Sequence, residues 1–250
     1  MRSWIMGVTV MLLASSPAWA QAAKTERESW VPGKFTGGAT VATDYIFRGI
    51  SQTDEEAAIQ ASIEWRHDMG IFLGVWGSNV DFNDRDQASV ELDWYAGYAN
   101  TYRNIGYDIR AIYYSYPGAD VARDYDYWEL GLALTYEPLT GLGLTLGYNF
   151  SPDYFAESGT AHYLRGEASY AIAGLPVPVK LTGGIARQFI NNNPVFGTPD
   201  YWHWSAGIAT ELKGLTLGLT YSDTDIEKRR CGASLDVCGA RFIANATYAF

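Results

Sequence analysis

The last ten residues, Arg241-Phe-Ile-Ala-Asn-Ala-Thr-Tyr-Ala-Phe250, constrain this chain more than any other stretch. Read at a period of two, Phe242, Ala244, Ala246, Tyr248 and Phe250 share one face, with Arg241, Asn245 and Thr247 on the other. An amphipathic strand at a chain end leaves one edge of its backbone unpaired, a liability in a soluble sheet. A closed barrel removes the liability by pairing this strand with the first one, and in a membrane the apolar face then meets lipid. The template for the rest of the chain is a strand whose residues face lipid and lumen by turns.

Met1-Arg2, the apolar run from Trp4 to Ala14, and Ala18-Trp19-Ala20 form the three parts of a secretory signal peptide, with cleavage expected after Ala20. Residues 1–20 are therefore read as signal peptide, 21–34 as a polar periplasmic leader and 35–250 as the barrel. Past residue 20 no apolar stretch approaches the ~18 to 20 residues of a spanning helix, so a membrane form must span with strands. With 26 Gly, 18 Tyr and 9 Trp and no long Leu/Ala/Glu/Lys tract, the chain reads as all-β. The net charge of −10 argues against a nucleic-acid partner, which needs a basic patch. Cys231 and Cys238 fall in one polar segment of an exported chain and are read as a local disulfide. Further ligands for zinc are lacking, and no cofactor or metal is expected.

The alternation then recurs. A first strand from Phe35 sets Gly37, Ala39, Val41, Tyr45 and Phe47 against Thr36, Thr40, Asp44 and Arg48. A second sets Ile59, Ala61, Ile63 and Trp65 against Gln60, Glu64 and Arg66. Ile71 to Asn79 is ambiguous, because Phe72 and Trp76 alternate with Ile71, Leu73 and Val75. The charges on later strands share the face opposite the apolar one: Glu91 and Asp93, Asp108 and Arg110, Glu129, Arg165 and Glu167. Three more strands, Val177 to Phe189, Trp202 to Leu212 and Leu215 to Tyr221, and the terminal strand bring the count to twelve. An even count puts both ends on one side, expected to be periplasmic. Short turns such as His67 to Gly70 and Lys213-Gly214 alternate with long polar connections such as Gly49 to Glu56 and Asp223 to Gly239. Aromatics at strand ends, among them Tyr45, Phe47, Trp128 and Trp202 at one level and Phe35, Tyr136 and Phe250 at the other, read as two interfacial girdles. An alternating apolar end in Phe250 also has the form of the signal by which outer-membrane proteins engage the barrel-assembly machinery.

Several segments resemble the TorF-type porins, a family of exported bacterial proteins otherwise of unknown function. They include Thr36-Gly-Gly-Ala-Thr-Val-Ala-Thr-Asp-Tyr-Ile-Phe-Arg-Gly-Ile-Ser-Gln-Thr53, Gly74-Val-Trp-Gly-Ser-Asn-Val-Asp-Phe82, Glu91-Leu-Asp-Trp-Tyr-Ala-Gly-Tyr98, Tyr113-Tyr-Ser-Tyr-Pro-Gly118 and Tyr125-Asp-Tyr-Trp-Glu129. The resemblance spans most of residues 35–130 and implies a porin of the Gram-negative outer membrane. It carries no catalytic or ligand residues.

Twelve strands tilted near 40° close a backbone cylinder roughly 24 Å across at ~4.8 Å spacing, which leaves a narrow lumen. The residues read as lining it are Asp44, Arg48, Glu64, Arg66, Glu91, Asp93, Asp108, Arg110, Glu129, Arg165 and Glu167, with Lys180, Glu211 and Arg241 on the same face. The leading expectation is an outer-membrane channel for passive diffusion of small polar solutes, with weak cation preference set by Glu91 and Asp93. A plugged, salt-bridged barrel and a surface-binding barrel acting through its outer loops, the acidic stretch Asp81 to Asp86 among them, are the alternatives. A hydrolase is disfavoured, since no motif joins a Ser to His67, His162 or His203.

Overall fold

The computed structural model describes residues 32–83, 88–232 and 236–250. The expected signal peptide and almost all of the expected leader lie outside them. The strands are β1 (Lys34–Ala42), β2 (Ile46–Phe47), β3 (Ile50–Ser51), β4 (Ala58–Arg66), β5 (Ile71–Asn79), β6 (Val90–Tyr102) and β7 (Ile105–Ser115). They continue as β8 (Tyr127–Leu139), β9 (Leu142–Ser151), β10 (Ala161–Ile172), β11 (Val179–Ile190), β12 (Tyr201–Leu212), β13 (Leu215–Thr224) and β14 (Arg241–Ala249). Twelve of them, β1 and β4 through β14, pair with their neighbours in sequence order as one closed antiparallel barrel. Among the described residues no helix is long and apolar enough to cross a membrane.

The terminal strand closes the ring. Thr40 pairs with Thr247, and beyond the ladder Gly37 and Phe250 exchange two backbone hydrogen bonds of 2.9 Å. A Cβ on Gly37 would lie 2.8 Å from both the Phe250 ring and the backbone oxygen of Ser62, and the latter cannot swing aside, so the position beside the seam is kept for glycine. The amphipathic code holds around the wall: Ile59, Leu132, Ile208 and Phe242 are exposed outside, while Gln60, Asp108, Glu129 and Arg165 are buried inside. The ambiguous strand is resolved as β5, with Ile71 and Leu73 outward (47% and 52% exposed) and Phe72 and Trp76 inward. Short turns and both ends of the barrel chain lie at one rim, as Lys34 pairs with Arg66 beside the turn into β5. The long connections lie at the other rim.

The first of these connections departs from the expected strand. β1 stops at Ala42; Thr43 keeps a backbone bond to Ala244 O at 2.9 Å, residues 44–53 turn into the lumen instead of continuing the wall, and residues 55–57 are exposed. The cause is local. The Asp44 carboxylate accepts hydrogen bonds from Ser51 Oγ (2.6 Å) and Thr53 Oγ1 (3.0 Å), which fold the segment back on itself in place of a strand ladder. Between them Phe47 faces Ile50 in the two-residue hairpin β2–β3, and its turn residues Arg48 (φ 50°) and Gly49 (φ 87°) both have positive φ. That is a type I′ turn, for which an X-Gly pair is suited. Tyr45 and Phe47 are therefore not part of the outer girdle; Tyr45 is 1% exposed and packs on Trp76 at 5.2 Å. Asp44 and Arg48 likewise belong to this inward segment and not to the wall.

Candidate functional site

Arg48 sits at the hairpin tip, and the hairpin carries it from the β1/β4 side of the barrel to the opposite wall. Its Nη2 donates to Glu129 Oε2 on β8 at 2.6 Å and its Nη1 to Gln188 Oε1 on β11 at 2.9 Å. The guanidinium carbon stands 4.3 Å from the Tyr163 ring centre and 4.7 Å from that of Phe47. Burial is the largest single influence on Arg48 and lowers its pKa, but the Glu129 carboxylate together with Tyr154, Tyr114 and Tyr127 outweighs it and holds the group above its ordinary range. Glu129 is a hub, since its Oε2 also accepts from Asn149 Nδ2 (3.2 Å) and Tyr114 OH (3.3 Å). Gly49 completes the fit: a Cβ there would meet Thr224 Cγ2 at 2.5 Å and His203 Cβ at 2.8 Å.

The other expected lining residues fall on the inward face, but most are already paired along the wall. Arg110 grips Asp108 with two bonds of 2.7 and 2.6 Å on β7. Arg66 meets Glu64 at 2.8 Å on β4, and Arg165 meets Glu167 at 3.4 Å on β10. Arg241 binds Asp44 at 3.1 Å and Glu55 at 3.2 Å, clasping the inward segment to β14. Glu91 and Asp93 differ. They are buried behind the hairpin, with Tyr45 OH donating to Glu91 Oε1 at 3.1 Å, while Glu91 Oε2 and both Asp93 oxygens have no hydrogen-bond partner. The space in front of them is filled by an aromatic cluster including Trp76, Tyr114, Tyr116, Tyr127 and Tyr154, onto which Phe82 and Phe155 of the long connections pack. These two acids therefore point inward without bordering open space, contrary to the expectation that they set selectivity.

Open space lies on the other side of the hairpin, in a recess of about 140 Å³ bordered by β1, β4, β9, β10, β12, β13 and β14. Gln60, Tyr163, Arg165, His203 and Ser222 line it, under a roof of Ile46, Phe47 and Arg48. Of these, Gln60, Tyr163, His203 and the hydroxyls of β12 and β13 were not picked out as site residues in the sequence, because neutral inward groups carry no charge pattern. The histidines find other partners: Tyr163 OH contacts His203 Nε2 at 2.5 Å, Tyr148 OH contacts His162 Nδ1 at 2.7 Å, and His67 Nδ1 accepts from the Met69 amide at 3.0 Å. Among the described residues no cluster of three metal-ligating side chains occurs, and residues 84–87 of the acidic outer stretch lie outside them.

Cys231 and Cys238 are disulfide-bonded and form a second cluster with Tyr201 and Ile226, on which Ile50 of the hairpin packs. The Ser51 amide donates to Val237 O at 2.8 Å, so the cross-linked connection holds the hairpin from above. Closing so small a loop is worth about 2 to 3 kcal/mol in the chain-entropy account. A Cys231→Ser/Cys238→Ser variant is expected to speed hydrogen exchange at Ser51 and residues 236–240 while leaving the wall strands protected. Unchanged exchange at Ser51 would show that the disulfide does not hold the hairpin.

A closed wall of twelve antiparallel strands, apolar outside and charged inside, defines the class: a β-barrel of outer-membrane type. The chain belongs to the family described as Gcw_chp, a bacterial protein of unknown function, which matches residues 26–249. No curated protein is matched by the sequence. Among solved structures, it is similar to a KdgM porin, with a TM-score of 0.55 and 11% identity over 86% of this chain and 99% of that one. It is also similar to the NanC porin, with a TM-score of 0.53 and 7% identity over 87% and 99% of the two chains. At these identities the likeness is one of fold.

Proposed function

We propose that this protein is an outer-membrane channel for the passive diffusion of small polar solutes, with its long connections outside the cell and both ends of the barrel in the periplasm. The carrying observation is a closed wall, apolar outward, whose interior is closed by aromatic side chains on one side of the hairpin and keeps an open recess with polar side chains on the other. The resemblance to TorF-type porins and the shared fold of two solved porins support the same reading. Lipid surrounds the outward face, Phe250 is the feature offered to the assembly machinery, and the barrel works without cofactor or catalysis. A solute crossing so narrow a lumen passes within a few ångströms of fixed charges, where their field is strong.

A second reading, a plugged barrel, is favoured by one specific feature, the bridge from Arg48 to Glu129 and Gln188 across the lumen. Planar-bilayer recording of the refolded mature chain separates the two. Discrete conductance steps are expected for the channel. A barrel shown to be folded by its resistance to protease, yet silent over the full voltage range, establishes the plug instead. Recovery of the mature chain in the soluble periplasmic fraction would overturn both.

A further inference from the structure

The recess beneath the hairpin has its charges already committed to the wall. Arg48 is held by Glu129 and Gln188, Asp44 by Arg241 and Ser51, and Arg165 by Glu167 at 3.4 Å and Asn149 Oδ1 at 3.4 Å. An ionic solute entering here would compete with one of these pairs, and at Arg48–Glu129 or Asp44–Arg241 it would leave a largely buried partner uncompensated; Glu167, half exposed, is the one less constrained charge. What remains without a protein partner is neutral. Gln60 is 5% exposed and its side-chain amide has no hydrogen-bond partner among the described residues, and the hydroxyls of Ser205, Thr220 and Ser222 on β12 and β13 line the same space likewise unbonded. These groups both donate and accept, as water or a ligand hydroxyl does. The roof is different in kind. Ile46 and Phe47 present carbon to the recess from above, so an occupant meets an amide and hydroxyls on its edge and an apolar surface on one side.

The recess, about 140 Å³, is room for several waters. A molecule that replaces those waters and keeps their hydrogen bonds carries several hydroxyls on a compact carbon frame. Displacing well-ordered water from these groups costs affinity unless the ligand reproduces its bonds, which favours an occupant with hydroxyls over a purely apolar one.

We propose that the recess is a binding site for a small neutral polyol, a solute class that rests on the channel reading and refines it. Gln60 supplies a bidentate amide, Ser205, Thr220 and Ser222 supply hydroxyl contacts, and Phe47 covers the carbon face.

The test uses the full barrel refolded in detergent, titrated with myo-inositol and D-glucose as neutral probes and with gluconate as an anionic probe of similar size. Saturable binding of the neutral probes is expected in the millimolar range, with gluconate weaker. Gln60→Leu/Thr220→Val should weaken it roughly tenfold, as expected for the loss of two or so hydrogen bonds. Ser205→Ala, a smaller change, should weaken it less and guards against a folding defect, as does the heat-modifiable mobility of each variant. Absence of saturable binding to the folded barrel overturns the site, as does equal binding by the double variant or tighter binding of gluconate. Conductance of the same preparation keeps the two proposals apart. A barrel that conducts but binds no polyol refutes the site alone, and one that binds polyol but never conducts refutes the channel alone.

Discussion

Removing the Arg48 side chain is expected to raise single-channel conductance severalfold, the largest functional effect of any substitution in this barrel. The guanidinium is the group that joins the hairpin to the far wall, through bonds of 2.6 Å to Glu129 and 2.9 Å to Gln188. Its loss frees the tip while the hairpin stem remains anchored by Asp44, Ser51 and the disulfide cluster. Arg48→Ala alone also leaves Glu129 buried without its counter-charge, a defect worth about 3 to 5 kcal/mol of stability. Glu129 keeps only its contacts from Asn149 and Tyr114. The double variant Arg48→Ala/Glu129→Gln removes the stranded charge and should conduct as the single variant does, with stability largely restored. If both variants fold and both conduct as the parent does, the hairpin tip does not limit passage, and the path runs elsewhere in the lumen.

The wall was legible in the sequence because its physics is binary. Lipid on one side and a polar interior on the other force apolar and polar residues to alternate, and Ile59, Gln60, Ile63 and Glu64 state that alternation directly. The rule fails where the interior is neither wet nor charged. Trp76 could not be assigned to a face from the sequence, since its side of the lumen is filled by aromatic side chains and an inward aromatic looks like an outward one; Phe72 is inward for a different reason, lying against the Arg66 and Arg110 guanidiniums at 4.4 and 5.0 Å. The inward hairpin was hidden for the same reason as Trp76. Tyr45 and Phe47 continue the outward parity of β1, so the departure at Ala42 leaves no break in the pattern. The one available sign was Arg48-Gly49, an X-Gly pair between apolar residues, which is the composition of a two-residue hairpin. Long connections that read as polar likewise donate Phe82, Tyr116 and Phe155 to the interior cluster.

Neutralising Glu91 and Asp93 is expected to stabilise the barrel and to leave its ion selectivity unmoved, the reverse of what their charge in the sequence implied. On β6 the two acids share the inward face two residues apart, Asp93 0% and Glu91 2% exposed. Both Asp93 oxygens and one of Glu91 lack any hydrogen-bond partner, and Tyr45 OH satisfies only Glu91 Oε1. A buried polar group left without a partner costs about 1 to 3 kcal/mol, and more when it carries charge. The register opposite Asp93 is Trp76 on one side and Tyr114 on the other, so no cation stands across from it in the ladder. Asp93→Asn therefore removes a penalty without creating a cavity, and urea unfolding in lipid vesicles should show a gain on the order of 1 to 3 kcal/mol. Glu91→Gln should gain less, because its Oε1 already has Tyr45, and Tyr45→Phe in the parent should lose stability by orphaning that oxygen. Reversal potentials across a salt gradient test the other half. An unchanged value in Glu91→Gln/Asp93→Asn fits two acids sealed behind the aromatic cluster. A shift toward anions, with no gain in stability, would mean that ions reach these carboxylates and that the aromatic side of the hairpin opens during conduction.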